Sequence, residues 1–496
     1  LKKLFLEDNN ISGEGIEVLT KLSSWTNLKV LNLSKNPIGD EGALELSFNR
    51  TWKNFQELYL RGCRIGIDGG LQLATNSPWH DIRILDLSSN EIGIQGVKAL
   101  TDSNAWRSLE KLDLSDNKID DEGAIVIGAN KTWIELRELL LASNKIEDNG
   151  LLSIMRNKTW RALHILSLKN NIIGNDSCIE DNDSTLDYSV PEDEFFDLIS
   201  PPELMIDLSM NRIKRFDLFW NRTCEILDLS HNQLGNEGFK TLINNYRLSS
   251  LRKLILANNQ INDLGSASIK LNPEWRYFLE ELSLSHNTIS DEGARWIGKN
   301  THWKDLRILS LNSNKIGDEG GAAIGRNSSW KKLEELDLSS NNIGDAGACV
   351  IGSNTAWINL KKISLGTNKI GDEGGTTIGR NYSWKSLIEL QLSDNNLTEK
   401  SAKVIGSNTA WTDLKKLYLD GNNLSDEGGV AIGLNKSWNK LEEINLSRTH
   451  VGDKTAAVLG SNSAWKSLRK LIISYNYITD EGGANLSMNK FWNRLE

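Results

Sequence analysis

Tryptophan recurs every 27 residues along most of this 496-residue chain. It stands at Trp25, Trp52, Trp79, Trp106, Trp133 and Trp160, and again at Trp303, Trp330, Trp357, Trp384, Trp411, Trp438, Trp465 and Trp492. A fixed period of this length admits few folds: one supersecondary unit, repeated and stacked as a solenoid. Residues 303–329, WKDLRILSLNSNKIGDEGGAAIGRNSS, represent the unit. Leu306, Leu309 and Leu311 follow LxxLxL, and the alternation across 307–311 predicts a short strand with Leu309 and Leu311 on one face. Asp318 reads as the N-cap of a two-turn helix with Glu319 in its first turn. Gly320 and Ile324 share a face of that helix, and Gly325 with Asn327 reads as a left-handed stop.

A unit this small buries too little to fold alone, so stacked neighbours must complete each other's core. Strands then align in a parallel sheet with helices outside. Strands repeat at about 4.8 Å and packed helices at about 8–10 Å, which predicts a curve with the sheet on the concave side. An Asn three residues beyond the last strand leucine marks each unit. In the first run it is Asn9, Asn36, Asn90, Asn117, Asn144 and Asn171, with Cys63 replacing one. Asn211 follows, and then Asn232, Asn259, Asn287, Asn314, Asn341, Asn368, Asn395, Asn422 and Asn476, with Thr449 replacing one. That makes eighteen repeats. A buried amide satisfies loop backbone groups, so Cys63 and Thr449 are expected local weak points.

The pattern LxxLxLxxNxIxxxGxxxI, carried over the whole chain, resembles the ribonuclease-inhibitor-like class of leucine-rich repeats. The resemblance implies an α/β right-handed horseshoe with one short helix per repeat on the convex side. That class includes inhibitors, GTPase activators and the sensor regions of NOD-like receptors, so it implies recognition of a macromolecule. The Trp before each strand departs from the usual leucine of the class. The four scattered cysteines (Cys63, Cys178, Cys224, Cys349) are unlike the Cys-rich ribonuclease inhibitors, and they form neither a disulfide framework nor a zinc spacing.

The repeats divide into a first block, 1–173, an irregular stretch, 174–231, and a second block, 232–496. Between Asn171 and Asn232 the register breaks. Residues 170–211 hold eleven acids and no Lys or Arg, so removing them takes the net charge from −9 to +2. This composition reads as a solvated loop, with Phe195 and Phe196 among acids as a candidate docking motif. No EF-hand spacing is present there. Leu1 opens on a repeat and Glu496 stops inside one, which reads as a piece of a longer protein.

Counting back from the ladder Asn, positions −6, −4 and −2 leave the core. At −7 and −6 the charge alternates from strand to strand: Arg252 and Lys253, Glu280 and Glu281, Arg307, Glu334 and Glu335, Lys361 and Lys362, Glu389, Lys415 and Lys416, Glu442 and Glu443, Arg469 and Lys470. Cross-strand pairing is the expected outcome, and with no basic face left over the sheet argues against nucleic acid. Position −2 is mostly small. Bulky exceptions stand near the ends and are the expected partner contacts: Phe5, Tyr59 and Arg61, then Tyr418 with Asp420, Ile472 and Tyr475. Helix faces repeat DEG and small residues, and so offer no unique address. Trp220 and Trp296 fall outside the Trp column.

Six of fifteen N-x-S/T sequons (Asn49, Asn130, Asn157, Asn327, Asn381, Asn435) stand three residues before Trp, where a helix-ending Asn explains them. The reading leans to an intracellular protein, with the sequons as the argument for secretion or surface display. The six histidines share no site, His231 and His286 standing two strands, or ~10 Å, apart. No P-loop, nucleophile context or metal motif appears, so neither catalysis nor a cofactor is expected. The chain reads as a protein-binding module or scaffold. The alternatives are a structural spacer or filament component assembling laterally, and the sensor region of an immune-type receptor or a microbial effector.

Overall fold

In a computed structural model the described residues are 1–22, 24–76, 79–103, 106–174, 204–216, 223–245, 248–271 and 278–496. They form two units, one of residues 1–233 with 245–251, the other of 234–244 with 252–496. Each is a leucine-and-asparagine solenoid of the expected kind. The first carries nine parallel three-residue strands, Lys3–Phe5 to Ile226–Asp228, and the second nine more, Lys253–Ile255 to Lys470–Ile472. Neighbouring strands pair in register at the repeat step, Glu335 with Lys362 and Leu336 with Ile363. Position −5 is buried between partly exposed −6 and −4, as alternation requires, and Leu309, Leu311 and Ile316 reach zero exposure.

The Asn ladder explains how loops without secondary structure stay satisfied. Asn341 donates from Nδ2 to the Leu338 and Ser339 carbonyls of its own repeat and to Leu311 O of the repeat before, 3.0 Å away. Its Oδ1 accepts from Ile316 N at 3.0 Å. Both N–H groups and the oxygen of one buried amide are thereby engaged. The ladder continues across the changed spacing of the first unit, where Asn211 donates to Leu168 O at 3.0 Å and accepts from Ile173 N at 3.2 Å. Cys63 keeps only the donor half, Sγ to Leu33 O at 3.2 Å, and Thr449 likewise donates to Leu446 O at 2.5 Å. With no amide oxygen at position 63, Ile38 N turns back to Asn36 O at 2.8 Å.

Asp318 has a different job from the one its position suggests. The N-cap of helix Asp318–Gly325 is Gly317. The Asp318 carboxylate instead accepts from Gly344 N and Gly347 N, each at 2.8 Å, at the start of the next helix, Asp345–Gly352. Asp291 serves Gly317 and Gly320 in the same way, Asp345 serves Gly371 and Gly374, and Asp40 serves Gly66 and Gly69. Each of these helices is thus capped by the repeat before it, and two of its orphan N–H groups are met by a charged acceptor.

The left-handed stop at Gly325 and Asn327 is absent; the last helical residue runs on into Arg326, which keeps right-handed dihedrals. Left-handed residues sit instead just before the ladder Asn, at His286, Ser313, Ser340, Thr367 and Asp394 among others. Gly325 answers a packing demand. A Cβ there would lie 2.7 Å from Ile351 N of the next helix, and one on Gly352 would lie 2.7 Å from Ile378 N. Asn327 turns its side chain inward: Nδ2 donates to Gly298 O at 2.9 Å and Asn300 O at 2.8 Å, while Oδ1 accepts from Ser329 N.

Trp fills the adjoining core. From Trp330 to Trp465 each ring is fully buried, and Nε1 donates to the carbonyl of the Asn 30 residues earlier at 2.9–3.2 Å. Trp220 lies outside the described residues.

Candidate functional site

The sheet face turned from the helices is built from positions −7, −6, −4 and −2. Its first feature is the charge ladder. Arg307 lies 2.8 Å from Glu334, Glu334 lies 2.6 Å from Lys361, and Lys362 lies 3.2 Å from Glu389. Lys415 pairs with Glu442 and Lys470 with Glu443, each at 3.0 Å. The first unit does the same with Arg83 and Glu110 at 3.3 Å and Lys111 and Glu138 at 2.6 Å. Hydrogen bonding from Lys361, ahead of the charges of Lys361 and Arg307, holds the Glu334 carboxyl below its ordinary range.

The second feature is local. An Asp, Asn or Gln at −4 accepts from the N–H at −2, as Asp337 does from Ser339 and Gln391 from Ser393. These side chains therefore finish the strand end. Burial pushes Asp113 up, with Asp86 on the paired strand adding to it. Such residues are held by the fold, which leaves the bulky exceptions to offer a partner something distinct.

Tyr418, Asn445 and Ile472 occupy one register row on three adjacent strands. Tyr418 is half-buried, and burial, then the neighbouring Glu443, raise its hydroxyl well above the ordinary tyrosine value. Asp420 accepts from Ser393 Oγ and lies 3.9 Å from Arg448, which also reaches back to Asp394 at 3.5 Å. Arg448 spans a whole repeat to do so. Gly421, left-handed at φ +68°, stands between, and a Cβ there would collide with the Asp394 carboxylate. Tyr475 extends from a left-handed residue, 87% exposed. Tyr477 stacks on His450 with centroids 5.6 Å apart. The expected contacts Tyr418, Asp420, Ile472 and Tyr475 thus gather on one stretch of the second unit. Asp394, Arg448, His450 and Tyr477 join them, and sequence reasoning missed all four. The available signal was their shared place, one residue either side of the ladder Asn.

The first-unit candidates form a separate row. Phe5 (59% exposed) pairs in register with Asn32, and Asn32 with Tyr59. Tyr59 donates to Glu57 at 3.0 Å, and burial pushes its hydroxyl up to about 12, with the Glu57 hydrogen bond second. Arg61 is exposed. Phe195 and Phe196 lie outside the described residues, as does most of the acidic segment.

The six sequon asparagines before Trp are all buried, and Nδ2 of Asn49, Asn130, Asn157, Asn327, Asn381 and Asn435 donates to a carbonyl of an earlier repeat. Their amides belong to the core. Among the described residues the exposed sequon asparagines are Asn10, Asn396 and Asn423, each just after a ladder Asn. Cys63 and Cys224 are buried, and burial lifts the Cys63 thiol to about 11. Among the described residues no three His, Cys, Asp or Glu come together as a metal site, and no helix is long and apolar enough to cross a membrane.

A family model described as a leucine-rich repeat matches twelve segments: 26–47, 80–100, 107–128, 136–155, 221–242, 247–269, 278–297, 304–325, 331–351, 358–379, 412–433 and 466–487. Together they cover just over half of the sequence. The chain belongs to the leucine-rich repeat family. No curated protein matches it in sequence. Among solved structures it is similar to the leucine-rich repeat protein LIC12759 of Leptospira interrogans, at 18% identity and TM-score 0.54, covering 98% of this chain and 99% of that one. It is also similar to TLR13 from a complex with the RNA ssRNA13, at 16% identity and TM-score 0.51, covering 98% and 68%. Both likenesses concern the repeat fold. A leucine-rich repeat protein can hold RNA, so the fold by itself does not exclude nucleic acid as a ligand.

Proposed function

We propose that this leucine-rich repeat chain is a non-catalytic recognition module whose protein partner docks on the open sheet face of the second unit, around Tyr418, Asp420, Arg448, Ile472 and Tyr475. The observation that carries the reading is Tyr475. It is a large aromatic side chain, 87% exposed, at the place before the ladder Asn where other repeats carry His286, Ser313, Ser340 or Asp394. Tyr is also a rigid anchor of the kind that dominates interfaces. Around it, Arg448 and two carboxylates supply polar orientation, and Ile472 supplies apolar area. The paired charges of the ladder leave no basic strip, which favours protein over nucleic acid on this face. One helix in nearly every repeat supports the ribonuclease-inhibitor-like class, and Phe195 and Phe196 remain candidates for a second contact.

Replacing Tyr418 and Tyr475 by Ala should weaken partner capture at least tenfold and shift the melting temperature little. Capture by wild type and variant to the same extent, with loss on charge changes along the helices, would favour a laterally assembling spacer.

A further inference from the structure

The helices of the second unit are less uniform than their repeated DEG suggests. Helix Asp318–Gly325, DEGGAAIG, is built of small residues that are all buried after its first two, with Ala322 7% and Ala323 9% exposed. The preceding helix, Asp291–Gly298, carries Arg295 and Trp296 where this one carries Ala322 and Ala323. A groove of about 920 Å³ results, floored by Ala322, Ala323, Ala346 and Val350. Arg295, Lys299 and Arg326 line it, with Asp318 and Glu319.

The charges in this groove are not balanced. Asp318 is engaged by the two N–H groups of the next helix, and Arg295 takes Glu319 at 2.5 Å. Among the described residues no carboxylate pairs with Lys299 or Arg326. Lys270, outside that lining, adds basic charge beside it. Its Nζ sits 4.5 Å from the centre of the Trp296 ring, with Lys299 at 5.8 Å, so the indole draws both cations together.

We infer that this groove is a second binding site, for an acidic–apolar peptide segment of a protein partner. Its carboxylates would meet Lys299 and Arg326, and its aliphatic side chains would lie on the alanine floor. No aromatic ring lines the groove and two carboxylates interrupt its basic lining, which makes it a poor seat for a nucleic-acid strand, since that needs ring faces and a continuous basic track. The site lies on the helices, apart from Tyr418 and Tyr475, and stands or falls independently of the sheet-face reading.

A fluorescein-labelled peptide of alternating Glu and Leu is the probe, with its Gln-for-Glu counterpart and a single-stranded RNA oligonucleotide of matched charge. Fluorescence anisotropy should show saturable, salt-sensitive binding of the Glu peptide. The expected loss is at least tenfold in Lys299→Glu with Arg326→Glu, and in Ala323→Arg, which fills the groove. Tyr418→Ala with Tyr475→Ala should leave it unchanged, as should Lys385→Glu, a charge change elsewhere. Absence of saturable binding, equal binding by wild type and the groove variants, or tighter groove-dependent binding of the RNA would each overturn the inference.

Discussion

The two units use the same tryptophan for the same purpose and finish it differently. In the second unit every indole N–H from Trp330 to Trp465 is bonded. In the first, Trp52, Trp79, Trp106, Trp133 and Trp160 are as deeply buried, yet their Nε1 atoms have no partner among the described residues. The difference tracks the residue five before each Trp. In the second unit it is Gly298, Gly325, Gly352, Gly379, Gly406, Gly433 and Gly460; in the first it is Ser47, Ala74, Thr101, Gly128 and Met155. A bonded indole occurs where both stacked repeats have Gly there. One Gly is insufficient, as Trp160 shows between Gly128 and Met155, and Trp492 between Gly460 and Ser487. Two missing Cβ atoms let the helix ends close up, and that closure brings the Asn carbonyl to the ring. Backbone bulk in one column thus decides whether a polar atom in another is satisfied.

The largest way to break the difference is to put a side chain into the glycine column. Gly352→Val must displace Ile378 N, 2.7 Å from where its Cβ would lie, and should cost about 3 kcal/mol or more. Ala74→Val in the first unit, where a Cβ is already housed, should cost clearly less. Chemical denaturation of both variants measures this; equal losses would disprove the column argument.

The cross-repeat aspartates should not distinguish the units, because Asp121 caps onto Glu147 and Gly150 just as Asp426 caps onto Gly452 and Thr455. Burial works to raise Asp426, but hydrogen bonds from Thr455 and Gly452 outweigh it and hold the carboxyl below its ordinary range. A depressed carboxyl contributes stability above its unfolded pKa and loses it as pH falls through the folded value. Asp426→Ala should cost roughly 1–2 kcal/mol at neutral pH, and its deficit should shrink below about pH 4. Melting curves from pH 7 to 3 test it; a deficit independent of pH would refute the capping role.

A finer test compares Trp411→Phe with Trp133→Phe. Both lose ring area, but only Trp411 gives up a bond, to Asn381 O, so it should be the costlier by roughly 1 kcal/mol. Removing the unpaired donor of Trp133 carries no such loss. Smallest of all should be the charge ladder, which both units share. Lys361→Glu should be partly rescued by Glu334→Lys, with a coupling of about 0.2–1 kcal/mol. Additive effects in a double-mutant cycle would leave the ladder without energetic content.

Most of the fold is legible in the sequence because Leu309, Leu311, Asn314 and Trp330 each act within their own repeat or against an identical neighbour. A period is enough to place them. What escapes is whatever reaches one repeat further. Asp318 looks like the cap of its own helix because its true donors, Gly344 N and Gly347 N, are distant in sequence. Asn327 looks like a helix stop because its buried amide bonds lie 27 and 29 residues back. Arg448 went unnoticed because its meaning depends on Asp394, two repeats away, and on the space left by Gly421. The groove beside Trp296 depends on the relative heights of consecutive helices, which no single repeat encodes.

The aspartate capping has a direction. Each carboxylate secures the helix that follows it in the chain, so a repeat receives its cap from material already made. During synthesis from the N-terminus, a helix start that follows such an aspartate would emerge beside a finished acceptor, with no wait for later residues. The ladder Asn works in the opposite sense through its oxygen, which closes the loop of the repeat behind it. Growth and sealing therefore alternate, one repeat out of step, and the advancing end of such a solenoid is always capped before it is closed.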